Sequence, residues 1–335
     1  MKDRVEKKRL AILRVLQASR GPLSSQKITE ILNTSGVDIS ERTVRFHLQY
    51  LDQEGLTRYM DRQGRIITEL GKDEVDNARA FERVGFLADR IDQMSYAMDF
   101  DLKTHTGKVV VNISFIERSQ LKMACPLMYR VYEAGYAMGT MITLLSPGEY
   151  VGDMMVPEGW VGIGTVCSIT VNGILLSQGV PIHSRFGGLL ELQDREPTRF
   201  VAIIKYDGTS LDPLEIFIRS GMTDYSGATA TGSGLIGASF REFPAEAKEL
   251  VEEIEDEMRT IGLGCIMEIG MPGQPLMEVP VSWGNVGAII IGGLNPVAIL
   301  EEHGMKVRSK ALSGLLDFDR LFPYTELDER ASSFI

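Results

Sequence analysis

The chain has 335 residues, 44% hydrophobic and 24% charged, which is long enough for two domains and well supplied for a buried core. Its apolar stretch around Val286–Leu300 is interrupted by Asn295 and Pro296 and falls short of the ~20 residues a membrane span needs. Cys125, Cys167 and Cys265 are far apart with no CxxC, and Met1–Arg9 is charged; a disulfide framework, a zinc ribbon and a secretory signal are all disfavoured, and a cytoplasmic location is expected.

The net charge of −11 is unevenly distributed. Residues 1–66 carry 13 Lys and Arg against 8 Asp and Glu, a net of +5; the remainder carries 22 against 38, a net of −16. A basic module on an acidic body directs only the module toward an anionic polymer.

Asp3–Ser19 reads as a helix, with Val5, Leu10, Ile12, Leu13 and Leu16 as its apolar positions and Gly21-Pro22 as the stop. A second runs from Ser24 to about Asn33 and turns Ile28, Ile31 and Leu32 inward. Ser40 is a good N-cap for a third, in which Val44, Leu48 and Leu51 recur at i, i+4 and i+7 before Gly55. Leu56–Tyr59 and Arg65–Ile67, around the turn Asp61-Arg62-Gln63-Gly64, predict a β-hairpin.

Three short helices and a hairpin in this order predict a winged helix-turn-helix, whose third helix enters the major groove. With its stripe turned inward, that helix presents Arg42, Thr43, Arg45, Phe46 and Gln49. Arg suits guanine, Gln suits adenine, and Thr meets phosphate or a thymine methyl. Ser24, Ser25 and Gln26 open the second helix, where free backbone N–H groups suit phosphate, and Arg62 and Arg65 lie on the wing. The same architecture also serves protein contact; the cationic face favours DNA. His47, beside the stripe, reads as a packing residue.

Residues 71–98 read as a connecting helix, with Phe81, Val84, Leu87, Ile91, Met94 and Met98 at helix spacing. Strands and helices then alternate, giving a mixed α/β (α+β) class. Lys108–Ile116 and Met138–Leu145 are predicted strands; Ser119–Glu133, Pro244–Ile261 and the segment from Asn295-Pro296 to His303 are predicted helices. Cys167–Pro181 and Cys265–Pro280 echo one another and suggest a duplicated β unit, with a ligand pocket or subunit contact at the seam. Gly227–Gly234 lacks the Gly-Lys-Ser/Thr ending of a phosphate loop and reads as a flexible loop. No HExxH or GxSxG pattern occurs and the four histidines are unpaired, so no enzyme, metal site or prosthetic group is expected.

The chain contains the strings Arg83-Val84-Gly85-Phe86, Gly164-Thr165-Val166-Cys167-Ser168, Ser184-Arg185-Phe186-Gly187-Gly188-Leu189-Leu190-Glu191, Ser210–Ile218, Ile236–Glu242 and Ile291–Pro296. In these it closely resembles the NrpR-type nitrogen-regulation repressors of methanogenic archaea and related prokaryotes. The resemblance spans nearly the whole chain. It implies a homodimeric repressor with a winged-helix domain (residues 1–70), a connecting helix (71–100) and one regulatory, effector-binding and dimerisation domain (101–335). It also implies palindromic operators of nitrogen-assimilation genes and release by 2-oxoglutarate. A sensor of another metabolite or of a metal ion, and less so an enzyme fused to a DNA-binding domain, are the alternatives.

A dicarboxylate needs one or two fixed cations with hydroxyl or N–H donors. Arg185, after Ser184 and before Phe186-Gly187-Gly188, is the first candidate, its glycines serving as a backbone anion nest. Arg219 with Thr223 is the second, and Ser239 with Arg241 the third; Cys167, Ser168 and Thr170 are candidates to line the same pocket.

Overall fold

The computed structural model describes residues 2–19, 21–61, 63–75 and 86–334. It divides into two units, residues 1–85 and 86–335. The first opens with α1 (Lys2–Ala18), α2 (Ser25–Thr34) and α3 (Glu41–Gln53). A hairpin of β1 (Thr57–Met60) and β2 (Gly64–Ile67) follows, and residues 69–75 form a further helix, α4. Ser24 and Ser40 cap α2 and α3 by accepting the backbone N–H groups of Lys27 and Thr43. Ile12, Leu13, Leu16, Ile28, Leu32, Val44, Leu48 and Leu51 form the core, each fully buried side chain contributing about 1.5–3 kcal/mol. Leu23 and Arg65 exchange both backbone hydrogen bonds, at 2.9 Å each, and tie the wing to the start of α2. Gly64 is obligatory there: its φ is 112°, and a Cβ would lie 2.2 Å from the Leu23 carbonyl oxygen.

The second unit contains, in order, α5 (Leu87–Ala97), β3 (Lys108–Glu117), α6 (Leu121–Glu133), β4 (Met141–Leu145), the short hairpin β5 (Tyr150–Val151) and β6 (Met154–Met155), β7 (Trp160–Val166) and α7 (Ile169–Ser177). Next come β8 (His183–Gln193), β9 (Glu196–Lys205), α8 (Pro213–Arg219), α9 (Tyr225–Thr231), β10 (Gly234–Pro244) and α10 (Lys248–Thr260). The unit closes with β11 (Ile266–Ile269), β12 (Asn285–Ile291), α11 (Asn295–Glu302), β13 (Arg308–Asp317), β14 (Phe322–Pro323) and α12 (Leu327–Ala331). Two antiparallel sheets result, ordered β13-β3-β7-β4-β14 and β11-β12-β10-β8-β9.

The order β3–α6–β4–β7–α7–β8 recurs as β10–α10–β11–β12–α11–β13. The ladders repeat too: Glu117 faces Trp160 as Pro244 faces Asn285. Each half gives its last strand to the other's sheet, so Arg308 pairs with Phe115 as His183 pairs with Glu242. The duplication is therefore real, but not the echo read from sequence. Cys167–Pro181 is mostly helix α7, whereas Cys265–Pro280 is β11 and a loop. That shared string is a coincidence of small and apolar residues in two different backbones.

Two other expectations are corrected. Gly227–Thr231 lies in helix α9, which Gly232 ends in the left-handed conformation at φ 81°, so the run is not a loop. Gly187 and Gly188 lie in paired strand β8, where their N–H groups belong to the sheet; a Cβ would meet Pro213 at 2.9 Å or the Ala202 carbonyl oxygen at 2.6 Å. They serve close packing rather than an anion nest. Of the expected connecting helix, residues 76–85 lie outside those described; α5 packs Leu87 and Ile91 into the second unit's core.

Candidate functional site

The first unit presents the outer face of α3. Val44, His47, Leu48 and Leu51 are buried, while Arg42, Arg45, Phe46 and Gln49 are exposed, Phe46 by 64%. A large aromatic ring left in water on a recognition helix is available to bases or methyl groups. Thr43 is half-buried, and its hydroxyl pairs with Ser40 at 2.8 Å. Ser24 and Gln26 are exposed at the start of α2. Ser25 turns to α3: its hydroxyl donates to Glu41 Oε1 at 2.9 Å and accepts from Arg45 Nε at 3.2 Å. Arg65 is used internally, donating to Asp52 at 2.8 Å and lying over the Tyr59 ring. Arg62 lies outside the described residues. Burial, followed by the charges of Arg9 and Lys8, pulls His47 below the usual imidazole range and keeps it neutral, in keeping with packing. Glu41 escaped the sequence reading, although its i,i+4 spacing to Arg45 was the available signal.

The second unit holds a cavity on the seam between its halves. Asn112 of β3 and Ser239 of β10, on equivalent central strands, line it together with Cys167-Ser168 after β7 and Gly292-Gly293 after β12. Tyr206, Asp212, Leu214 and Ala311 close the sides. Its empty volume, counted into open solvent, is about 290 Å³, but the space that the centre of a water can reach is only about 20 Å³, room for about one water.

Beside it lies Arg241, wholly buried. Its guanidinium donates to the Ser168 carbonyl at 2.8 Å, to Ser168 Oγ at 2.9 Å and to Asn172 Oδ1. Its Nε is buried without a partner. Among the described residues no carboxylate pairs with it, which leaves a buried cation satisfied only by neutral acceptors. Burial accordingly pulls its pKa downward. Ser239 Oγ, near the Tyr206 phenol, is also buried without a hydrogen bond of ordinary geometry. Asp212 caps α8, accepting from Leu214 and Glu215; burial, then the Glu215 charge, pushes it up to about 6. The Cys167 thiol is raised to about 11 by burial and stays protonated.

The structure thus gathers Cys167, Ser168, Ser239 and Arg241, and links Ser184 to them through Asn172, whose Nδ2 donates to Ser184 Oγ at 3.0 Å. The other candidates are occupied elsewhere. Thr170 bonds Val110 through both N–H and carbonyl, and Phe186 stacks on Phe240 in the core. Arg185 donates to the buried Glu242 carboxylate and to the Pro280 carbonyl, and so pins a loop. Arg219 reaches the Ser309 carbonyl and Glu215; Thr223 bonds Glu302. Asn112, Asn172, Tyr206 and Asp212 were missed, because only the strand exchange brings them to one place. Among the described residues no group of three His, Cys, Asp or Glu side chains is arranged to hold a metal, and no helix is long and apolar enough to cross a membrane.

A cationic winged helix joined in one chain to a duplicated two-sheet unit defines a transcription regulator of the winged-helix class. Residues 84–322 match the family described as NrpR regulatory domains NRD1 and 2, and residues 10–75 match a winged-helix domain described from ribonuclease R. The chain is 34% identical over 321 residues to the global nitrogen regulator NrpRI of Methanosarcina mazei, covering 96% of this chain and 99% of that protein. It is 29% identical to the global nitrogen regulator NrpR of Methanococcus maripaludis, over 92% of this chain and 54% of that one, and thus spans about half of that longer relative. A crystal structure of a nitrogen repressor-like protein from Methanococcus jannaschii superposes with a TM-score of 0.62 at 27% identity, covering 72% of this chain and 99% of that one. The chain belongs to the NrpR family.

Proposed function

We propose that the chain is a homodimeric repressor of nitrogen-assimilation genes, which binds an inverted-repeat operator through α3 and is released by 2-oxoglutarate. The observation that carries the effector reading is the buried Arg241 guanidinium without a counter-ion, with Ser239 unsatisfied beside it. An anionic carboxylate on Arg241 Nε supplies the missing charge, and Ser168 and Ser239 offer hydroxyls to the remaining oxygens. Cys167 lines the wall. The site spans two half-repeats and has room for about one water, so entry of a dicarboxylate requires the halves to part there. Ligand then binds the parted arrangement better and shifts the population toward it. A coupling of ~1–3 kcal/mol changes operator affinity ~5–150-fold.

The reading of DNA rests on Arg42, Arg45, Phe46 and Gln49 exposed on a capped helix, with Ser24 and Gln26 toward phosphate. The test is fluorescence anisotropy with labelled duplexes from upstream of nitrogen-assimilation genes, titrated with 2-oxoglutarate. Arg45→Ala weakens duplex binding and leaves effector binding intact; Arg241→Met does the reverse. Unaltered affinity in Arg45→Ala removes α3 from the reading, and a normal effector response in Arg241→Met removes the seam. A thermal-shift screen of other metabolites and metal ions checks the effector's identity.

A further inference from the structure

A carboxylate on the face that meets DNA is costly, because it repels phosphate. Glu41, the first residue of α3, stands on that face with its side chain 37% exposed. Two donors meet on its Oε1: Ser25 Oγ at 2.9 Å, and Arg45 Nη2 at 2.6 Å. Arg45 Nε also donates to Ser25 Oγ, so the Nε/Nη2 edge of the guanidinium is held while Nη1 makes no hydrogen bond among the described residues. The hydrogen bond from Ser25, then that from Arg45, hold Glu41 below the usual carboxylate range, so it is ionised at neutral pH in the free chain. Its Oε2 accepts nothing among the described residues.

An ionised acceptor brought into the major groove must find a donor or lose its hydration uncompensated. The groove offers two, the exocyclic amines of cytosine and adenine, and a carboxylate next to a fixed guanidinium suits a C·G step: the carboxylate takes the cytosine amine and the guanidinium takes guanine O6 or N7. We propose that Glu41 is a base-reading residue, whose free oxygen accepts a cytosine amine while the Arg45 it holds donates to a neighbouring guanine. The inference rests on the DNA-binding role proposed above and goes further, assigning a base pair and a penalty. Where neither amine faces it Glu41 finds no donor and Arg45 is withheld from phosphate, so the pair lowers non-specific affinity.

The experiment needs no prior operator. The full chain is used to select from duplexes with a randomised central segment at fixed salt, and the enriched pools are sequenced for the native chain, Glu41→Gln and Ser25→Ala. The native chain is expected to fix a C·G pair beside a G·C pair in each half-site. Glu41→Gln relaxes that C·G pair by roughly 5- to 150-fold, keeps the other fixed positions, and binds a scrambled duplex more tightly. Ser25→Ala, with the carboxylate charged but held by Arg45 alone, relaxes the same pair less, and decides the matter if Glu41→Gln unfolds. Retention of the cytosine by Glu41→Gln, or fixation of A·T there by the native chain, overturns the inference while leaving DNA binding intact. Enrichment of no duplex by the native chain overturns the DNA-binding reading and this inference with it.

Discussion

Arg241→Met keeps an unbranched stem in the seam and removes the buried charge. The guanidinium loses three hydrogen bonds to neutral acceptors, each charge-assisted bond contributing about 1.5–3 kcal/mol. Against this stands relief of a desolvation cost of several kcal/mol for an ion with no counter-charge. The two offset, so ligand-free stability is expected to change by no more than about 3 kcal/mol in either direction. The response to ligand differs sharply. With 2-oxoglutarate at one hundred times its dissociation constant the native chain gains about 2.7 kcal/mol, which for a unit of ~250 residues raises its transition by about 5–10 °C. Loss of one partner from a buried charge pair costs about 3–5 kcal/mol and weakens binding by more than about 100-fold. At the same concentration the variant then gains at most about 0.4 kcal/mol, roughly 1 °C. Scanning fluorimetry of both proteins with and without 2-oxoglutarate measures the difference. An undiminished shift in Arg241→Met refutes the argument from the missing counter-ion.

Asp212 carries a pH dependence whose sign follows from its raised pKa. Its contribution to stability is present below the ordinary carboxylate value and is lost as pH rises through about 6. Asp212→Asn keeps a capping oxygen for α8 and is expected to stabilise the chain by about 2 kcal/mol at pH 8 but not at pH 4, as read by urea titration. Effector affinity is expected to fall as pH rises through 6 in the native chain and to stay level in Asp212→Asn, by calorimetry. Gly139→Ala meets both a φ of 65° and a backbone clash, its Cβ falling 2.0 Å from the Gly262 oxygen. A loss of about 2–4 kcal/mol is expected in denaturant unfolding, and a neutral effect would mean that the two connectors slide freely. Ser40→Ala removes the cap of α3 and should cost about 1 kcal/mol in thermal unfolding.

Local patterns carried the first unit almost entirely. The serines before α2 and α3, the i, i+4, i+7 stripe and the glycine-closed hairpin each act within a few residues, so spacing alone reveals them. The second unit yielded some of its elements, but not α7 or α9 and not their arrangement. Pro244–Ile261 was legible as a helix because its apolar stripe is periodic, whereas α7, buried on all sides, has no amphipathic face to read. The site was least legible. Ser239 and Arg241 alternate on one strand and could be named together, but their partners Ser168 and Asn172 lie about seventy positions earlier and meet them only through β-pairing. Arg185 shows the opposite error: a promising local string whose guanidinium is taken up by Glu242, a residue no spacing rule connects to it.

The exchange of final strands between the halves sets the order in which a new chain becomes finished. Strand β3 waits for β13: Ile113 N–H bonds Ser313 Oγ and Asn112 Oδ1 takes Leu312 N–H, each across 200 positions. Until the ribosome has released that distant segment, the earlier sheet has a bare edge and the cavity wall lacks Ala311. Such remote pairing is slow to form, and a growing chain with an open edge is prone to stick to its neighbours. The winged helix, built from near neighbours, matures long before the part proposed to sense the effector.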